Sequence, residues 1–101
     1  MAEITKARAR EAFLFAVRKS VNSAVRSDGD EREKLFLLAH SILALIDGVG
    51  DMPSMDLVLR PAVGNKEYAI DAGIDYYCDG QAINDDVMLH EEWGRLFHED
   101  F

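Results

Sequence analysis

Cysteine, proline, basic charge and long apolar runs are all scarce in this chain. A single cysteine, Cys78, in 101 residues excludes an intrachain disulfide and fits a reducing compartment. The two prolines, Pro53 and Pro61, bracket one short segment. No stretch is long and apolar enough to span a bilayer: the richest, Leu35 to Ile46, is twelve residues and contains His40 and Ser41. The charged start, Met1 to Glu11, is not a basic stub followed by an apolar run, so no targeting segment is read and the cytoplasm is expected. Lys and Arg number 11 against 19 Asp and Glu, a net charge of −8. That balance disfavours direct binding to nucleic acid or to an anionic membrane.

What is present is the composition of one globular domain, 49% apolar and 30% charged, taken as spanning residues 1–101. The charge is uneven. Residues 1–34 sum to +2 and residues 35–101 to −10. The acidic portion favours solubility and suits a basic protein surface.

Glu3 to Arg26 reads as a helix with Leu14, Val17, Val21, Ala24 and Val25 on one stripe and Phe13 beside it. Phe15 projects among polar residues, so it needs cover from elsewhere in the fold or from another chain. Ser27-Asp28-Gly29-Asp30 breaks this helix, and Asp30 with Glu33 resembles a capping box for a second. The second helix ends at Ile46, followed by Gly48 as a left-handed cap. Ten of its last twelve residues are apolar on all sides, so it is the central element. A short connection makes the pair an antiparallel hairpin.

The period then changes. Met55 to Arg60 alternates like a strand. Asn65 is placed to cap a short helix over Lys66–Ala72, closed by Gly73. Ile74 to Cys78, Asp79-Gly80 and Gln81 to Ile83 read as a hairpin with Ile74, Tyr76 and Cys78 on one buried face. One of Asn84, Asp85 or Asp86 then caps a last helix, Val87 to Glu99, with an apolar stripe of Leu89, Trp93, Leu96 and Phe97. The expected fold is α+β: an N-terminal antiparallel helical hairpin packed on a small three-stranded antiparallel or mixed sheet, with a C-terminal helix.

No catalytic motif survives inspection. His90-Glu91-Glu92-Trp93-Gly94 begins like a zinc protease helix but has Gly94 where the second histidine belongs. His98 falls about 80° round the helix from His90. His90 is therefore expected at the edge of the core with one ring nitrogen bonded. Asp71, Asp75, Asp79, Asp85 and Asp86 lack the alternate spacing of a calcium loop. Cys78 is expected to be buried and inert. No metal and no cofactor is expected. His40, with Phe36 and Leu43 on a second side of the apolar helix, requires partners wherever it is buried.

The helix ending Ile42 to Gly48, the strand Met55 to Pro61, Asn65 to Tyr68, and Ile83 to Asp86 leading to Leu89-His90-Glu91 resemble a group of small bacterial and phage proteins of unknown function. The resemblance covers residues 31–95 and implies a bacterial origin and no functional residues.

Three functions are weighed. The first is a non-catalytic protein-interaction module that binds a protein partner or self-associates as a homodimer. It rests on Phe15, the all-round apolar helix, and Phe97 and Phe101. The second is an acidic inhibitor or immunity-like decoy for a basic nuclease or nucleic-acid-binding protein, presenting Asp75, Asp79, Asp85 and Asp86; Tyr77, on the outer strand face with Asp75, is a further candidate interaction residue. The third is a small enzyme or ligand binder using His40, His90 and nearby aspartates.

Overall fold

The computed structural model describes residues 2–99. It contains four α-helices: α1 (Lys6–Arg26), α2 (Glu31–Ile46), α3 (Asn65–Ala72) and α4 (Leu89–Glu99). Among the described residues there is no strand, only an isolated antiparallel bridge between Val58 and Ala82. The expected α+β fold is thereby corrected: the structure is helical and the three-stranded sheet does not form. The chain divides into two compact units, one of residues 1–55 with 88–101, the other of residues 56–87.

The first unit is built around α2. Its N-terminus is capped as expected, with the Asp30 carboxylate accepting from Glu33 N–H at 2.9 Å. Its C-terminus closes in a Schellman motif, Val49 N–H to the Ala44 carbonyl and Gly48 N–H to the Leu45 carbonyl, with Gly48 at φ +86°. Helix α2 packs against α1 on one side and α4 on the other, and α1 and α4 do not touch. The three helices therefore form one layer.

Helix α1 begins at a Thr5 cap rather than at Glu3, and only part of the expected stripe is covered. Ala16 and Ala24 are buried, with Phe13, Val17 and Ser20 half-buried beside them, while Leu14, Val21 and Val25 are exposed. Small side chains let two helix backbones approach closely. The alanines therefore make the contact, and the larger residues stay on the flank.

The second unit holds α3, which starts at Asn65 with Gly64 at its N-cap and no side-chain cap, so Asn65 does not cap it. It ends in its own Schellman motif: Ile74 N–H bonds to the Ala69 carbonyl and Gly73 N–H to the Ile70 carbonyl. That motif explains the missing hairpin. Ile74 N–H is consumed in closing the helix, so it joins no ladder, and Asp75 to Cys78 run as irregular backbone to the Asp79-Gly80 turn. Residues 80–83 instead bond to Leu57 and Leu59, through Leu59 N–H to Gln81 O (3.0 Å), Gly80 N–H to Leu59 O (2.9 Å) and Ile83 N–H to Leu57 O (3.0 Å). Asn84 is buried, and its side-chain oxygen accepts from Leu57 N–H at 2.8 Å. Ile74, Tyr76 and Cys78 are exposed rather than buried. No helix among the described residues is long and apolar enough to cross a membrane.

Candidate functional site

Two features of the first unit concentrate chemistry. One is a polar cluster at the joint of α2 and α4. The other is the apolar face of the three-helix layer.

The cluster is centred on Asp47, which follows α2. Its Oδ1 accepts from Leu89 N–H at 2.9 Å and its Oδ2 from His90 N–H at 2.8 Å. Oδ2 also lies 2.6 Å from His90 Nδ1. A residue more than forty positions upstream thus supplies the N-terminal cap of α4 that was expected from Asn84, Asp85 or Asp86. The Asp47 side chain is 1% exposed and that of His90 17%. Burial pushes the Asp47 carboxyl pKa up, and the donors from His90 and Leu89 outweigh it, holding the group below its ordinary value. An ionised carboxylate can only accept, so Nδ1 carries the hydrogen and Nε2 is the basic nitrogen of the neutral ring.

His40 meets His90 edge to face, with ring centroids 5.2 Å apart. It also tilts against Phe36, at 5.9 Å. A shallow groove of about 440 Å³ runs past His40 and His90, bordered by Leu37, Gly94 and Arg95. The structure thus brings His40 and His90 together, as the ligand-binding reading requires. The carboxylate on His90 is Asp47, which had not been singled out. Its spacing from His90 gives no local signal, because the pairing spans 43 residues. Among the described residues no three His, Cys, Asp or Glu side chains converge to hold a metal ion.

The apolar face has Leu35 as its ridge, 59% exposed. On one side, a groove of about 370 Å³ between α1 and α2 is lined by Val21, Ala24, Val25 and Leu38. On the other, a groove of about 430 Å³ between α2 and α4 is lined by Phe36, Ala39, Trp93 and Phe97. The floor of the second is an aromatic stack. Phe36 lies 5.9 Å from Trp93 and 4.6 Å from Phe97. Trp93 Nε1–H donates to the Phe36 carbonyl at 3.4 Å, and the Arg32 guanidinium sits 4.4 Å from the Phe97 centroid. Glu31, Arg32 and Lys34 rim the grooves with both signs of charge.

The remaining expected site residues fall as follows. Phe15 is 60% exposed, with Lys19 Nζ 5.9 Å from its ring, so no part of the described chain covers it. Asp75, Tyr77 and Asp79 are exposed in the second unit, as are Asp85 and Asp86. Cys78, expected to be buried, is an exposed free thiol whose sulfur lies 3.7 Å from the Asp79 carbonyl. Phe101 lies outside the described residues. No family model, curated protein or solved structure matches the chain.

Proposed function

We propose that the protein is a non-catalytic protein-interaction module whose working surface is the Leu35 face of the α1–α2–α4 layer. One observation carries this reading: helix α2, ten of whose last twelve residues are apolar, is contacted by only two other helices, α1 and α4. A stable domain stacks at least two layers over a shared core, whereas within this unit α1, α2 and α4 make a single layer. Val25, Leu35 and the half-buried Trp93 and Phe97 border the two adjoining grooves and so form one contiguous apolar patch. The test is affinity capture from the lysate of the producing cell, with wild type and Leu35→Glu as parallel baits and helix content checked by circular dichroism. A stoichiometric associate, either another copy or a different protein, is expected on wild type and lost from the variant. Equal recovery on both baits, or none on either, sinks the reading.

A second reading draws on the cluster at the joint. A half-buried His40 against a carboxylate-paired His90 suits a small anionic or hydrogen-bonding ligand in the adjoining groove. Imidazole carbon-proton shifts of His40 and His90 that stay fixed across a library of small anions would end it.

A further inference from the structure

We infer that His40 and His90 together bind a borderline divalent metal ion of the zinc class, with Asp47 as the carboxylate that positions His90. The inference is independent of the Leu35 surface, and it gives the cluster at the α2–α4 joint a cation as its ligand. The spacing along α4 puts Gly94 where a histidine partner for His90 was needed; the fold supplies that partner from α2 instead.

The ring nitrogens are available. The Nδ1–H of His90 donates to Asp47 Oδ2 at 2.6 Å, which leaves a lone pair on Nε2. Nothing in the described chain bonds to that Nε2 or to either ring nitrogen of His40. Yet no buried side-chain nitrogen or oxygen among the described residues lacks a partner. All three nitrogens are therefore open to solvent, and both rings line the same groove. A carboxylate on the far nitrogen is the support that metal-binding histidines take: it fixes the tautomer and raises the basicity of the other nitrogen.

The separation fits a shared ion. A zinc ion bound to an imidazole at roughly 2.0–2.1 Å lies about 3.2 Å from the ring centroid, so two imidazoles on one tetrahedral ion have centroids about 5 Å apart. The His40 and His90 centroids are 5.2 Å apart, and at 84° the rings are not stacked face to face. No third His, Cys, Asp or Glu among the described residues joins them, so the other positions fall to water or to a ligand that the ion recruits, the open arrangement. Gly94 puts no side chain over that part of the groove.

Charge favours a cation over an anion. The ionised Asp47 lies behind His90 and Glu91 stands on the groove wall, while the one guanidinium there, Arg95, is paired with Glu92 at 2.8 Å.

Calorimetric titration of the purified, tag-free full chain with zinc chloride in a non-coordinating buffer tests this, together with imidazole carbon-proton spectra. Wild type is expected to bind one zinc ion with a Kd below about 100 µM, to ignore magnesium, which prefers oxygen ligands, and to show the His40 and His90 signals moving together. His40→Ala and His90→Ala are each expected to weaken zinc by about tenfold or more, and Asp47→Asn by about tenfold. His98→Ala, on the exposed part of α4, is expected to leave zinc affinity unchanged. Where a variant loses its helix signal in circular dichroism, the paired wild-type shifts decide. No zinc binding below about 100 µM, movement of only one of the two histidines, or an equal loss in His98→Ala overturns the proposal. It fails separately from the anionic-ligand reading: anions that shift both rings in a chain that ignores zinc leave that reading and end this one, and zinc binding beside indifference to anions does the reverse.

Discussion

At the scale of single residues, Asp47 does three things with one carboxylate. It follows α2, caps α4 and fixes the tautomer of His90. Replacing it with Ala leaves two backbone N–H groups and an imidazole without their acceptor. A loss of roughly 2–4 kcal/mol in urea-derived stability is expected, against less than about 0.5 kcal/mol for Asp75→Ala on the exposed surface. The pH dependence has a definite sign. The folded carboxyl is held below its ordinary pKa, so its contribution is complete above that ordinary value and drains away as pH falls through the lower, folded one. Thermal melts between about pH 5 and 3 are expected to fall more steeply for wild type than for Asp47→Asn, which has no proton to take up. Parallel slopes would show that Asp47 is not ionised in the folded protein.

At the scale of elements, the ends of α2 and the C-terminus of α3 were legible in the sequence, whereas the starts of α1, α3 and α4 and the face of α1 were not. The Asp30 cap of α2, and Gly48 and Gly73 beyond α2 and α3, depend on local backbone chemistry that the sequence states directly. The face of α1 depends on which stripe lets α2 come closest. Hydrophobicity points to Leu14, Val17, Val21, Ala24 and Val25; of these only Ala24 is buried, and close approach adds Ala16. The strands failed for a related reason: Ile74 looks β-prone, but its N–H is needed to close α3. His40 and His90 each stood out by helix position; their meeting, and the Asp47 carboxylate on His90, did not, because nothing local links α2 or Asp47 to residue 90. Two pairs of substitutions test these contacts by thermal unfolding. Ala16→Leu is expected to cost roughly 1–3 kcal/mol through overpacking against α2, and Leu14→Ala about 0.5 kcal/mol or less. At Gly48 a Cβ would lie 2.8 Å from Ser54 N, and at Gly73 it would meet nothing within 4 Å. Both sit at positive φ. Gly73→Ala should therefore cost about 1–2 kcal/mol, and Gly48→Ala distinctly more.

At the scale of the whole molecule, the two units differ in how much they bury. Residues 56–87 bury only Ala69 and Asn84 below the surface, with Tyr68, Ile74 and Tyr77 more than half exposed. Few buried contacts mean low-energy local opening. Amide exchange is expected to be faster in α3 than in α2, whose Leu45 is buried. Equal protection in the two helices would mean that the second unit is stabilised by something other than its own packing.

The chain leaves and re-enters the layer at the same point. Met55 N–H bonds to the Ile46 carbonyl at 2.7 Å, and Leu89 N–H to Asp47. In polymer terms, residues 56–87 are a 32-residue loop whose ends are already clamped at the end of one helix. Ring-closure entropy varies only logarithmically with length, so exchanging this loop for one of about eight residues changes the closure term by only about 1 kcal/mol. The position behind α2 is therefore a natural graft point, at which foreign segments of widely different length can be carried on the helical layer.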